Sequence, residues 1–424
     1  MKSPLMFLSP GRILLMAGTL LIGFTFMPPG MYEAYIMEPD YMFGNLVLYL
    51  FIAGSLLVLW ASISISVRLP AIRTIHLKKL MSVGPFFYLF GPVACALALL
   101  AITIWSVLQN DSSIFGLLLA RQGQEVKQAM VIAGQGAFNG SLPLAMGVSW
   151  WALDRYLELR QYMSHARLIT LSALVGALVI VLLLTATLML SRFVVMPTLF
   201  GLFLVYIRHK IVRDRVKAFS IVRRALLALA SILALFWLFA SLRNAGDKNA
   251  IVQSFVGYGP GALNHLAALL AGRLNVDALN GYLRQENFGF FYKFPFMIRL
   301  FDLTDVFISG TESMFDETWR GGLNGAYIWI TSFGEIAAQL RGFAVVYLFG
   351  YGYIVARAWR SFIRGGIFGT IMYPWAAFGV LFSFGSNFFA SNFLSILMIL
   401  TLILGAYGGL VNVKQGAHRS AARS

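Results

Sequence analysis

The sequence predicts an all-α polytopic membrane protein, with about ten transmembrane helices and one large loop on the outer side. Three observations predict it. The 424 residues are 59% hydrophobic and only 12% charged, about half the charge of an average soluble domain. Apolar runs of about 17 residues or more recur along the chain, which is the length a helix needs to cross hydrocarbon, and the alternation of a membrane barrel is absent. Finally, the 33 basic residues are distributed unevenly between successive loops.

Spans are placed at 12–27, 42–66, 84–107, 131–153, 168–190, 193–207, 225–242, 342–358, 367–385 and 391–411. The first follows Lys2 and Arg12 and has the apolar core of a signal peptide. Met27-Pro28-Pro29-Gly30 offers no small-x-small cleavage site, so it reads as an uncleaved span. The fourth carries Gln135, Asn139 and Pro143. A helix with such residues faces protein or a water-filled cavity. Only Ser191 and Arg192 separate the fifth and sixth, which read as a tight hairpin or one long broken helix. The chain thus divides into an N-terminal bundle of about seven spans (1–242), a large loop with short helices (243–341), and a C-terminal bundle of about three spans with a basic tail (342–424).

Orientation follows from the positive-inside rule. With both termini in the cytoplasm, the cytoplasmic segments hold 22 basic residues against the three acids Asp154, Glu158 and Asp214. The outer segments hold 11 basic residues against 14 acids. The net charge of +16 is therefore a topology signal and an attraction to anionic lipid, not a nucleic-acid surface. The large loop therefore faces outward.

Several function classes are excluded. No Gly-Lys-Ser/Thr phosphate loop is present, so the chain is not an ATPase. No Asp-x-Asp motif occurs, and the five histidines, His76, His165, His209, His265 and His418, are scattered rather than set at metal-ligand spacing. Cys95 is the single cysteine and lies in an apolar run, so no intramolecular disulfide forms. Chemistry in this chain is expected to use neither metal nor cofactor, on a substrate already activated and already outside.

The candidate residues are chosen on that basis. Arg192 lies between two apolar runs with no acid near it in sequence; it suits a phosphate held bidentately, or it snorkels at a helix end. Arg121 is a second outer arginine, near Glu125 and Lys127, with which a solvated ion pair is the simpler account. Arg273 and Arg284 flank Asp277 and either clamp a diphosphate or pair with their neighbours. His265 is the only outward histidine and a candidate general base; a helical histidine is more often structural. Glu286, Asp302, Asp305 and Glu335 are alternative bases. Asn324, Tyr327 and the tryptophans of Trp319–Trp329 suit a sugar ring, or form an interfacial aromatic belt.

This arrangement resembles the Wzy-type polymerases of bacterial surface polysaccharides. The resemblance rests on the many-span layout with one large outer loop near the C-terminus, and on Arg121 followed by Gly134-Gln135-Gly136 and a polar span with Pro143. It rests also on Ser191-Arg192 between apolar runs, and on a loop that opens at Tyr258-Gly-Pro-Gly-Ala-Leu and closes at Asn324-x-x-Tyr327, Gly334-Glu335 and Gly342. It covers roughly residues 80–360. It implies a GT-C-like, metal-independent glycosyltransferase that joins repeat units linked to undecaprenyl diphosphate. The product is an O-antigen, capsule or exopolysaccharide, and a flippase and a chain-length regulator are implied partners. Under this resemblance Arg192, His265 and Glu335 are catalytic, and Arg121, Arg273, Arg284, Asn324 and Tyr327 bind substrate. Two departures stand out. The related O-antigen ligases often carry His-Asn before the corresponding tyrosine, where this chain has Leu323-Asn324, and the family's acid there is usually Asp, where this chain has Glu335. A ligase-like lipid-carrier enzyme and a flippase are the competing readings.

Overall fold

The computed structural model describes residues 4–70, 81–110, 114, 116, 138–189, 192–214, 223, 234, 249–275, 316–325 and 327–413. The first helix, α1 (Pro10–Phe24), starts on a proline whose missing N–H costs nothing there. A short helix α2 (Gly30–Ile36) follows, and then α3 (Leu46–Arg68), whose first turn is capped by Asn45 accepting from Leu48 N at 3.0 Å. Next come α4 (Pro85–Asn110), α5 (Phe138–Leu159), α6 (His165–Leu188) and α7 (Arg192–Asp214). The segment 243–341 contributes α8 (Ala250–Tyr258), α9 (Pro260–Leu270) and α10 (Thr331–Leu340). The chain ends in α11 (Ala344–Ile363), α12 (Ile367–Leu381) and α13 (Asn392–Leu410).

This is a helical membrane protein. Among the described residues α3, α4, α6, α7 and α13 are long and apolar enough to cross a membrane, and α1 and α12 are shorter apolar helices. Large apolar side chains stand exposed along them, Leu57 and Trp60 on α3 and Ile102 and Trp105 on α4 among them; in water these would be a liability, and in hydrocarbon they cost nothing. Nine of the ten expected spans coincide with a described helix. The segment 225–242 lies almost wholly outside the described residues, as does 131–137 at the start of the fourth span.

Two expectations need amendment. The sixth span does not stop at 207. No helix breaker follows it, and Ile207 and Ile211 keep a buried stripe, so α7 runs on to Asp214 and takes Arg208 and Lys210 into the helix. The chain is also not purely helical: β1 (Met81–Val83) and β2 (Val411–Val413) pair in parallel, joining the chain just before α4 to the chain just after α13.

The polar fourth span, α5, is the central helix. It packs on α4, α6, α7, α12 and α13. Between Ser141 and Asp154 only Leu144 and Leu153 are partly exposed. Glycines set the closest approaches: at Gly201 of α7 a Cβ would lie 2.3 Å from the Trp150 ring, and at Gly369 of α12 it would lie 1.9 Å from the backbone nitrogen of Phe362. The α11–α12 corner turns on Gly365, in the left-handed region at φ 73°, with Gly366 N–H returning to the Ser361 carbonyl at 2.9 Å.

Polar groups gather at two ends. At one, the C-terminal ends of α3, α5, α7 and α11 meet the start of α12. Arg357 Nη1 donates to Pro70 O at 2.6 Å, and Arg155 donates to the Gly365 carbonyl. There the buried Arg208 pairs with Asp154 and donates to Phe362 O at 2.9 Å and Thr370 Oγ1 at 3.3 Å, with its guanidinium 4.8 Å from the Phe362 ring centre. The opposite end carries residues 37–45, α9, 316–330 and the α12–α13 link. Part of the described 243–341 segment shares the bundle's hydrophobic core: Val256, Leu263, Leu266, Phe333 and Ile336 join the cluster that holds Trp150, Trp151 and Trp375, while Ala268, Leu274, Leu323 and Ile330 form a smaller cluster of their own.

Candidate functional site

The site at the second end is built on α9. Pro260 opens this helix, and Asn264 and His265 sit one turn in, both fully buried. The opposing strand of chain is the link from α2 to α3. Met37 ends α2 in the left-handed region at φ 54°, which turns the following Glu38-Pro39-Asp40-Tyr41 back toward α9. Asp40 fixes that turn by accepting from Met42 N at 2.8 Å and Phe43 N at 3.0 Å.

Glu38 is the centre. Its Oε1 lies 2.7 Å from His265 Nε2 and accepts from Asn324 N at 2.9 Å; its Oε2 accepts from Asn264 Nδ2 at 3.1 Å. The side chains of Glu38 and His265 are completely buried. Asn264 cannot be turned over, because Nδ2 also donates to Pro39 O at 2.9 Å and Oδ1 accepts from Tyr41 N at 2.7 Å. Asn324 Nδ2 donates to Ile36 O at 3.0 Å. With Nε2–H donating to the carboxylate, His265 Nδ1 is an acceptor, and among the described residues it has no hydrogen-bond partner. Tyr32 closes the back of the site, donating to Pro260 O at 3.4 Å. Burial, and then the charges of Asp40 and Glu38, hold its phenol well above its ordinary pKa of 10.0.

A wall of aromatic rings stands beside this knot. Tyr327 meets Tyr258 edge-on at 5.2 Å, Trp329 lies 4.8 Å from Tyr258, and Phe388 is edge-on to Trp329 at 6.0 Å. Gly257 makes room for Tyr327, whose ring would be 2.3 Å from a Cβ there.

A second polar knot surrounds Glu335 on α10. Its Oε2 accepts from Asn387 N at 2.8 Å and from Ser386 Oγ at 3.3 Å, and Asn387 Nδ2 donates to Tyr347 OH at 3.1 Å. The helix opens on Thr331, a buried β-branched residue at φ 65°, whose Oγ1 accepts from Gly334 N at 3.1 Å. A β-branched residue in that region is strained. It is held by Ser332, whose N–H donates to Ser383 O at 2.9 Å and whose Oγ donates to Ser386 O at 2.8 Å.

The structure therefore brings His265 and Asn324 together, sets Tyr327 in the aromatic wall beside them, and seats Glu335 in a knot of its own. Arg273 is exposed just beyond the C-terminal end of α9. Arg192 is the first residue of α7, and its side chain is outside the described set. Arg121 and Arg284 lie outside the described residues, as do Glu286, Asp302 and Asp305. Glu38, Asn264, Ser386 and Asn387 were not singled out from sequence. The one available signal for Glu38 was an acid held beside a proline in the short link after the first span. Among the described residues, no group of three or more His, Cys, Asp or Glu side chains is placed to hold a metal ion. No protein-family model matches the chain, and no curated protein or solved structure is detectably similar to it.

Proposed function

We propose that the chain is a lipid-carrier-dependent glycosyltransferase that polymerises oligosaccharide repeat units on undecaprenyl diphosphate, on the periplasmic face of a bacterial inner membrane. The observation that carries this reading is the Glu38–His265 pair. In it one imidazole nitrogen is held by a carboxylate and the other has no partner among the described residues. A carboxylate on one nitrogen fixes the tautomer and stabilises the imidazolium that forms when the other nitrogen takes a proton. In the reaction, His265 Nδ1 removes the proton of an acceptor sugar hydroxyl. The hydroxyl oxygen attacks the anomeric carbon of the donor, and the bond from that carbon to the carrier diphosphate breaks. The lipid diphosphate leaves with the electron pair. Arginines suit the charge that develops on it, and Arg192, Arg121, Arg273 and Arg284 are the candidates.

The complete burial of His265 suits a reaction in which water would compete with the acceptor for an activated glycosyl group. The acceptor reaches Nδ1 only once the covering segments move apart. The adjacent aromatic rings supply the flat apolar surfaces on which sugar rings stack. The topology in this reading has ten spans with both termini cytoplasmic. It is supported by the way the arginine-bearing ends of α3, α5, α7 and α11 meet at one end while the acidic knots of Glu38 and Glu335 lie at the other.

The test is an assay with purified protein and lipid-linked repeat units, the products resolved as a ladder by gel. Wild type is expected to build the ladder. His265→Gln, inserted and folded, is expected to lose about 10²–10⁴-fold in rate. An unchanged ladder from His265→Gln would remove His265 from the chemistry. Transfer of preformed polymer to a lipid A core acceptor, without polymerisation, would make the protein a ligase.

A further inference from the structure

One face of α11 changes character along its length. Val346, Phe349, Tyr353, Arg357, Arg360 and Arg364 follow one another at steps of three or four residues, so they form a single stripe. Two other faces of the helix are taken: Gly352 lies against Ser62 and Leu59 of α3, and Phe362 lies against Gly369 of α12. The first three residues of the stripe are apolar or aromatic, and exposed. α11 packs on α3, which is long and apolar enough to cross a membrane and on which Leu57 and Trp60 also stand exposed. This part of the stripe therefore meets hydrocarbon. The last three residues are arginines. Arg357 Nη1 donates to Pro70 O at 2.6 Å, just past the end of α3. That contact sets the arginines level with the end of the α3 span.

The middle arginine lacks a counter-charge. Arg360 Nη1 is sealed from solvent and has no hydrogen-bond partner among the described residues. An arginine that snorkels does so to keep its head hydrated, and this nitrogen is not. The negative end of the helix dipole favours basic residues in the last turn of α11, yet it gives Nη1 no acceptor. Acids are scarce here. The helices that meet at this end carry three: Asp154, Glu158 and Asp214. Asp154 and Glu158 are engaged by Arg155 and Arg208, and Asp214 ends α7 with its side chain outside the described set. The stretch 71–80, which follows Pro70, adds Arg73, Lys78 and Lys79 and no acid. A guanidinium nitrogen closed off from water is costly until an acceptor meets it. At the end of an apolar stripe that faces hydrocarbon, the anion in reach is one that a lipid carries. A phosphodiester accepts the guanidinium fork in two parallel bonds.

We propose that this end of α11 binds the headgroup of an anionic phospholipid, with Arg360 on its phosphate and its acyl chains along Val346, Phe349 and Tyr353. The site is separate from the Glu38–His265 end and does not rest on the reaction proposed there.

The protein is purified in neutral detergent, and dioleoylphosphatidylglycerol or dioleoylphosphatidylcholine is titrated in. Retained lipid is counted by native mass spectrometry, and the thermal midpoint is read alongside. Wild type is expected to hold phosphatidylglycerol about tenfold more tightly than phosphatidylcholine, and to unfold at a higher temperature with it. Arg360→Gln is expected to lose that preference, and Arg360→Lys most of it, because an ammonium lacks the fork. Arg364→Gln, at an exposed position, leaves the fold intact and is expected to weaken retention about threefold. Arg167→Gln, exposed on α6, is the control and should bind as wild type does. If folded Arg360→Gln keeps the wild-type preference, the proposal falls; if that variant does not fold, unchanged retention by Arg364→Gln sinks it instead. Equal retention of the two lipids by wild type would mean that the stripe takes bulk lipid. An equal rise in midpoint with inorganic phosphate would mean that a free anion suffices. Either result overturns the proposal.

Discussion

Replacing Glu38 with glutamine changes one atom and removes one charge, and the surrounding geometry sets the cost. The carboxylate accepts three hydrogen bonds and donates none: from His265 and Asn324 on Oε1, and from Asn264 on Oε2. An amide cannot reproduce this. With its oxygen toward His265 and Asn324, its NH₂ faces the NH₂ of Asn264, which cannot turn because Tyr41 N and Pro39 O hold it. With the amide reversed, its NH₂ faces the backbone N–H of Asn324. Either way one buried donor meets another. The loss is one charge-assisted bond and one unsatisfied buried donor, together about 2–4 kcal/mol. Thermal unfolding in detergent, followed by tryptophan fluorescence, measures it. The double variant with His265→Gln should cost less than the sum of the two singles, because the variants share a bond. A Glu38→Gln midpoint equal to that of wild type, or additivity in the cycle, would refute the view that Glu38 organises this end. The same variant should slow polymerisation even where it stays folded, since imidazolium formed at His265 would lose its counter-charge.

Three further outcomes are expected. Asp154→Leu leaves the Arg208 charge buried without its carboxylate and should cost about 3–5 kcal/mol; the double variant Asp154→Leu/Arg208→Leu should recover much of that, read as folded yield by size exclusion. Gly369→Ala drives a Cβ into the Phe362 backbone. Backbone cannot step aside as a side chain does, so this variant should fail to give folded protein, while Gly176→Ala on α6, where a Cβ meets nothing within 4 Å among the described residues, should be neutral. Tyr32, whose pKa is raised by burial and then by Asp40 and Glu38, favours the fold while it is neutral. Its contribution is fully present below the unfolded value of about 10 and is lost as pH rises beyond it. Stability titrated from pH 8 upward should therefore fall above about pH 10, and more steeply in wild type than in Tyr32→Phe.

The membrane class and the five long apolar helices were legible because a bilayer imposes one length on every helix that crosses it, so hydropathy alone finds them. The centrality of α5 was legible for a related reason: a helix carrying Asn139 and Pro143 is costly in lipid. What the sequence hid is long-range. Glu38 and His265 stand 227 positions apart and Glu335 and Asn387 stand 52 apart, and no local pattern selects one acid over another as the partner of a given histidine. The β1–β2 pair was hidden likewise, since three residues at each end of a long stretch carry no period of their own. The overshoot of α7 past 207 came from reading Arg208 as a loop residue. Its charge is compatible with the bundle only because Asp154, Thr370 and the Phe362 carbonyl are there to meet it.

The same long-range contacts bear on which part of the end that carries Glu38 and Glu335 can open. Two non-glycine residues in the left-handed region bracket α10, Thr331 at φ 65° and Arg341 at φ 48°. Each costs on the order of 1–2 kcal/mol, so α10 keeps this pose only because other contacts outweigh the strain. Those contacts are to the α12–α13 link, through Ser332 and Glu335, and the link is continuous with two bundle helices. The residues that cover Glu38 from the other side are differently tied. The 37–45 link is held by side chains of α9, by Asn324 N–H and the Gly321 carbonyl, and by its own Asp40 turn, and it includes the exposed Met37 and Phe43. In the proposed reaction an acceptor would reach His265 by displacing the 37–45 link, which carries exposed residues, rather than α10, which is tied to the bundle. On that reading α10 is a fixed wall, with Glu335 pinned in it, and the link after α2 is the part that yields.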